Sequence, residues 1–192
     1  MSFTNMSSTK EILSSAEQRM KKSLEAFQHE LASIRTGKAT TALLDGIKVE
    51  AYGQLSPLKQ VASISVLDTR TLSVQVWDKS LAPTIEKAIR ESGMGLNPAL
   101  DGQSIRVPIP PLTEERRKEY VKLVRRLAEE SKIALRNVRR DAIQAIERAE
   151  KEKLISEDDK NRGKKEADAL IQKFERLIDD SVAKKEKEIM EV

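Results

Sequence analysis

Residues 105–118 read IRVPIPPLTEERRK, and within this one stretch the chain changes character twice. Ile105 and Val107 flank Arg106 in the apolar–polar alternation of a half-buried strand. Pro108, Pro110 and Pro111 then fall within four positions. Each lacks a backbone N–H and fixes its own φ, so neither a strand ladder nor a helix can continue, and the segment reads as a stiff extended link. Thr113 suits an N-cap, and Glu114 and Glu115 place negative charge at the positive end of a helix dipole. A β-rich module therefore ends here and a helical one begins.

Downstream of the link, helical periodicity persists to about Glu152. Tyr120, Val124, Leu127, Ala134, Val138, Ala142, Ala145 and Ala149 cluster on one side at about 100° per residue. After a polar connector, Ser156-Glu157-Asp158-Asp159 supplies a cap and an acidic first turn for a further helix. Its stripe is Ala167, Leu170, Ile171, Phe174, Leu177, Ile178, Val182 and Ile189. At the other end of the chain, Ser8-Thr9-Lys10-Glu11 fits a capping box. Leu13, Ala16, Met20, Leu24, Phe27, Leu31 and Ile34 follow in steps of three and four, and Gly37 suits a C′ position with positive φ.

Between these helices the period drops to two at Ile47, Val49 and Ala51, at Ile64 and Val66, and at Leu72, Val74 and Val76. Gly53, Ser56-Pro57 and Asp68-Thr69 read as turns. A short helix is expected from about Pro83 to Glu91, with loops at Gly93, Gly95 and Asn97-Pro98. The fold class is α+β. An elongated three-helix bundle, residues 1–37 and 113–192, carries a small inserted domain, residues 38–112. None of the three stripes can be buried by its own helix, so a bundle is expected, with an intermolecular coiled coil as the alternative. The chain enters and leaves the insert near Gly37-Lys38 and Pro110-Pro111-Leu112, and two such short links predict a hinge.

The 192 residues contain no cysteine and a single histidine, His29, within an amphipathic helix. Disulfides, zinc–thiolate sites, thiol nucleophiles and multi-histidine metal sites are thereby excluded, and a Ser-His-Asp triad has little material. No GxxxxGK[ST] loop occurs, and Gly93-Met94-Gly95 lacks the third glycine of a dinucleotide motif. The Glu157-Asp158-Asp159 run is explained by helix capping. The six aromatic residues are read as core filling. No signal peptide or membrane-spanning apolar run is present, so a cytoplasmic, non-enzymatic protein without cofactor or metal is expected.

Net charge is only +4, but residues 113–140 hold ten Lys and Arg against five Asp and Glu, whereas residues 141–192 hold twelve against fifteen. Lys118, Lys122, Arg125, Lys132, Arg136, Arg139 and Arg140 project roughly opposite the apolar side of the second long helix, with Glu129 intruding. Arginine's planar fork matches phosphate oxygens, so the stripe is a candidate for following a nucleic-acid backbone. A solvated bundle face is the competing reading, and charge spacing does not separate RNA from DNA or from an acidic protein.

Several ungapped segments resemble the ribosome recycling factor family: Ile34–Lys38 (IRTGK), Leu43–Ile47, Gly95–Pro98, Ile105–Lys118, Val138–Ala142 (VRRDA) and Ile155–Asp159 (ISEDD). The likeness begins near Ser8 and runs through nearly the whole chain. Lys38 stands where arginine is usual and Ala51 where tyrosine is common, and a few extra residues precede Ser8. The resemblance implies an L-shaped, tRNA-like, monomeric protein made of a three-helix bundle and a β/α/β domain. It implies binding to the post-termination ribosome, with the bundle on large-subunit rRNA. Elongation factor G, using GTP, then acts on the insert to split the subunits, and an initiation factor keeps them apart. Arg139 matches the VRRDA arginine that the family uses against rRNA. Arg136, Arg140, Lys132, Arg125 and Arg35 are the further expected contacts. A helical scaffold that pairs with another coiled coil is the alternative function.

Overall fold

Three long helices, none able to bury its apolar stripe alone, meet within one chain: α1 (Thr9–Ala32), α3 (Glu114–Lys151) and α4 (Glu157–Met190). The computed structural model describes residues 2–191, divided into two compact units. Unit 1 comprises the residues up to Ile34 with Glu115–Glu191, and unit 2 is Arg35–Glu114.

In unit 1, Ser8 caps α1, its hydroxyl accepting from the Glu11 amide at 3.2 Å, while the full reciprocal box forms at α4 between Ser156 and Asp159. Helix α1 stops at Ala32 with Ser33 as its C-cap, earlier than Gly37 suggests; Gly37 (φ 79°) turns the chain farther on. All seven expected stripe residues of α1 are buried. On α3 the buried set is Val124, Ala128, Leu135, Val138, Ala142, Ala145, Ile146 and Ala149. The face is thus rotated from the expected one: Leu127 and Ala134 sit at its margin, and Tyr120 is half-buried. On α4 the stripe also narrows, with Ile171, Phe174, Ile178 and Ile189 buried and Leu177 at the edge. Each helix thus turns most of its stripe toward its neighbours within this one chain, as a bundle requires.

Helices α1 and α4 pack most closely, through a glycine. A Cβ on Gly163 would lie 3.1 Å from Thr9 Cγ2 and 3.2 Å from Ile146 Cδ1, so a side chain here would press on both neighbouring helices. Ahead of α1 a 3-10 turn, Phe3–Asn5, buries the Phe3 ring under the Arg19 guanidinium, 5.0 Å from its centroid.

Unit 2 holds more strands than its periodicity predicts. The hairpin β1 (Lys48–Ala51) and β2 (Gln54–Pro57) stands apart from an antiparallel sheet of order β3-β4-β6-β5, built from β3 (Ala62–Asp68), β4 (Thr71–Val76), β5 (Ala99–Asp101) and β6 (Ser104–Pro108). Strands β2 and β5 fall where the sequence suggests turn or loop; both are short and largely exposed, so neither carries an apolar alternation. Helix α2 (Ala82–Arg90) lays Ile85 and Ile89 on a core with Val49, Leu58, Leu72, Val74, Ile105 and Val107. The segments entering and leaving the unit lie together at the β3–β4 turn: the Ala39 amide donates to the Thr69 carbonyl at 2.8 Å and the Ile109 amide to the Arg70 carbonyl at 2.7 Å.

The aromatic residues do not all fill cores. Tyr52 is 78% exposed and Trp77 61%. Tyr52 and Gly53 form the two-residue β1–β2 turn with φ of 52° and 77°, a conformation that favours Asn-Gly over tyrosine. The Tyr52 hydroxyl donates to Asp78 Oδ2 at 2.5 Å, and Asp78 Oδ1 accepts from the Ser80 amide at 3.0 Å and its hydroxyl at 2.7 Å. These donors, the Tyr52 hydroxyl first, hold the Asp78 carboxyl below the ordinary aspartate range, and the same bond raises the Tyr52 phenol. The stabilisation from Asp78 is therefore present above its unfolded pKa and lost as pH falls through the folded one; that from Tyr52 is lost as pH rises through its raised value.

Two outcomes follow from these contacts. Gly163→Val forces a branched side chain into the α1–α4 crossing and lowers the stability of unit 1 by about 1–3 kcal/mol, read by thermal or urea unfolding. In Tyr52→Phe the Asp78 carboxyl titrates at higher pH by NMR, while Asp68, held low chiefly by the Arg70 amide, is unmoved.

Candidate nucleic-acid interface

The cations of α3 do not all stand alone in solvent opposite the core, as the sequence suggests. Four of the expected contacts lie along α4, paired with its acids. Arg125 Nε donates to Glu186 Oε1 at 2.8 Å, Lys132 Nζ lies 2.6 Å from Asp179 Oδ1, and Arg139 Nε donates to Asp168 Oδ1 at 2.6 Å. Arg136 is shared, its Nη1 donating to Glu129 Oε1 at 3.0 Å while its Nε stands 3.8 Å from Glu175 Oε1.

These pairs form an antiparallel ladder. From Arg125 to Lys132 is seven residues forward, and from Glu186 to Asp179 seven back; Lys132 to Arg136 is four forward, matched by Asp179 to Glu175. Farther along, the polarity reverses: Glu147 of α3 meets Lys164 of α4 at 2.8 Å and Glu150 meets Lys160 at 3.7 Å. Sliding or inverting the helices would oppose like charges, so the ladder specifies register more than it adds stability. Exposed pairs of this kind contribute about 0–1 kcal/mol each. Glu186 nevertheless raises the Arg125 pKa by hydrogen bond and then by charge.

The remaining expected residues behave differently. Arg140 is exposed and, among the described residues, pairs with no carboxylate. Next to it, Asp141 of the VRRDA segment turns back to Arg19 Nη2 at 3.4 Å. Arg35 is not gathered with the α3 cations at all: it belongs to unit 2, where its Nη1 donates to the Met94 carbonyl at 3.5 Å. The expected hinge residues Gly37, Lys38, Pro110, Pro111 and Leu112 also lie in unit 2, beside the two chain crossings. A Cβ on Gly37 would meet the Leu112 backbone nitrogen at 3.7 Å, so the two links run side by side.

Sequence reasoning missed the acidic partners. Asp168, Glu175, Asp179 and Glu186 read singly as a solvated helix face. Their spacing of seven, four and seven residues, which keeps all four on one side of α4, was the signal available.

His29 lies exposed on α1, and among the described residues no group of three or more His, Asp or Glu is placed to hold a metal. No described helix is long and apolar enough to cross a membrane. Fold and surface together describe an α+β protein with a long helix lined by paired charges. A model of the family "Ribosome recycling factor" matches residues 27–190. The ribosome-recycling factors of Chlorobium limicola and Pelodictyon phaeoclathratiforme are 66% and 65% identical over 183 and 185 residues, covering 95% and 96% of this chain and 98% and 100% of theirs. A solution structure of a ribosome recycling factor matches with TM-score 0.72 at 46% identity, covering 96% of this chain and 98% of that one. A second structure sets the T. thermophilus ribosome recycling factor and E. coli elongation factor G on the E. coli post-termination complex. It matches with TM-score 0.63 at 44% identity, covering 96% of this chain and 100% of that one. The chain belongs to the ribosome recycling factor family, whose members are non-enzymatic translation factors.

The ladder makes a direct stability prediction. Lys132→Glu opposes Asp179 and lowers the unfolding midpoint; adding Asp179→Lys restores most of it. The coupling is about 1 kcal/mol or less at low salt and shrinks in high salt, as a double-mutant cycle of melts will show.

Proposed function

We propose that this chain acts on the post-termination ribosome and, with elongation factor G and GTP, splits it into subunits for a new round of translation. The observation that carries the proposal is a whole-chain match, in sequence and fold, to recycling factors, one of which is placed with elongation factor G on a post-termination complex. The GTPase belongs to the partner. An initiation factor would hold the separated subunits apart, and the protein would work as a cytoplasmic monomer.

Helix α3 is the surface proposed to meet large-subunit rRNA. Its structure ranks the candidates. Arg139 has one nitrogen engaged and Arg140 stands clear, whereas Arg136 is shared by two carboxylates and Lys132 is closely paired. Arg139 and Arg140 are therefore the first groups available to phosphate, with Arg136, Lys132 and Arg125 able to exchange a carboxylate for a phosphate oxygen. Arg35, in unit 2, serves that unit's loop. The paired links at Gly37-Lys38 and Pro110-Pro111-Leu112 are proposed as the hinge through which force on unit 2 reaches the bundle.

Arg139→Ala is expected to weaken binding to isolated large subunits and to slow factor-dependent subunit splitting, with circular dichroism and melting unchanged. The slope of log affinity against log salt should fall by about 1, the contribution of one phosphate contact. Normal splitting by this variant would remove Arg139 from the interface.

A further inference from the structure

The ladder between α3 and α4 has one irregular rung. Arg136 to Arg139 advances three residues, yet their partners Glu175 and Asp168 stand seven apart. Arg139 thus reaches about one helical turn beyond its level partner, along α4 toward that helix's N-terminal end. The contact uses Nε alone: Nε donates to Asp168 Oδ1 at 2.6 Å. Among the described residues neither terminal nitrogen, Nη1 or Nη2, has a hydrogen-bond partner, and neither is buried. Arg139 and Asp168 are only partly accessible, with 40% and 48% of their side chains exposed. The guanidinium is therefore anchored by its inner nitrogen, while the outer pair, spaced to take two oxygens of one phosphate, is left available.

We infer that Asp168 is a positioning residue for Arg139, fixing its side chain from the neighbouring helix so that the outer nitrogens are presented to a phosphate. The inference rests on the proposal that Arg139 contacts rRNA. An untethered arginine gives up much rotamer freedom on gripping a phosphate, whereas one already held gives up less. Arg136 is not presented in this way, since Glu129 takes one of its terminal nitrogens. Arg125, also held through Nε, has a side chain 70% exposed and is less confined.

Asp168 has a second, opposing effect, because its negative charge repels the phosphate that Arg139 would bind. Two replacements of equal charge separate the effects. Asp168→Asn keeps an oxygen that accepts from Arg139 Nε, and Asp168→Ala removes it. Affinity for isolated large subunits is measured for both, each with arginine and with alanine at position 139, alongside melting curves. With Arg139 present, D168A is expected to bind about fivefold more weakly than D168N, the cost of ordering one long side chain. With alanine at 139 the two should bind alike. Equal affinity of D168A and D168N in the Arg139 background overturns the inference, including the case in which both bind more tightly than wild type because the carboxylate merely competes with phosphate. A difference that persists with alanine at 139 overturns it too, since Asp168 would then act by another route. Should Arg139→Ala bind like wild type, it is the rRNA assignment of Arg139 that fails, whatever Asp168 does.

Discussion

Unit 1 depends on the seam between α1 and α4. The two helices come from opposite ends of unit 1's interrupted sequence, and they meet tightly where Gly163 of α4 faces Thr9 of α1 and Ile146 of α3. Burial of α1's stripe and the narrower stripe of α4 against α3 supplies the main stabilising term, as apolar area removed from water. The charge ladder lies along the neighbouring seam, between α3 and α4. Its pairs are mostly half-exposed and individually weak, so they add little to stability. Reversal of sign between Arg136–Glu175 and Glu147–Lys164 makes one register and one direction preferable.

The same ladder alters how a basic helix should be understood. Its charges lie in a shared seam, where α4 supplies carboxylates at the distance and in the role that phosphate oxygens would take. On the proposed function, Arg136, Lys132 and Arg125 would exchange one oxygen partner for another, so none of them would have to be desolvated alone. Such an exchange would limit the affinity any one of them adds, which suits a factor that must let go of the ribosome once the subunits part.

Much of this architecture was legible in the sequence. The three-four spacing from Leu13 to Ile34, the proline cluster before Thr113 and the Ser156 cap placed the long helices to within a few residues. What failed did so for physical reasons. Ala128 and Ile146 replaced Leu127 and Ala134 in the core because α3 faces two neighbours at once, and a single stripe direction cannot represent a two-sided contact. Strands β2 and β5 are short and exposed, so backbone pairing with β1 and β6 makes them, not side-chain pattern. At the candidate interface, the cations were visible as a run of Lys and Arg on one helix. Their partners lie dozens of residues away, and only the folded seam joins Arg139 to Asp168.

The interrupted layout of unit 1 has a consequence for the order in which the protein can form. Synthesis delivers α1 first, with an apolar face and nothing to cover it. Unit 2, contiguous in the chain, can complete its core and bring its two ends together at Thr69 and Arg70 before α3 and α4 are made. Once it has folded, the span between α1 and α3 shrinks from some eighty residues of loose chain to two short links, which cuts the entropy lost in closing the bundle. The insert is thus a tether that shortens itself, and α4, the last helix to be made, completes the bundle.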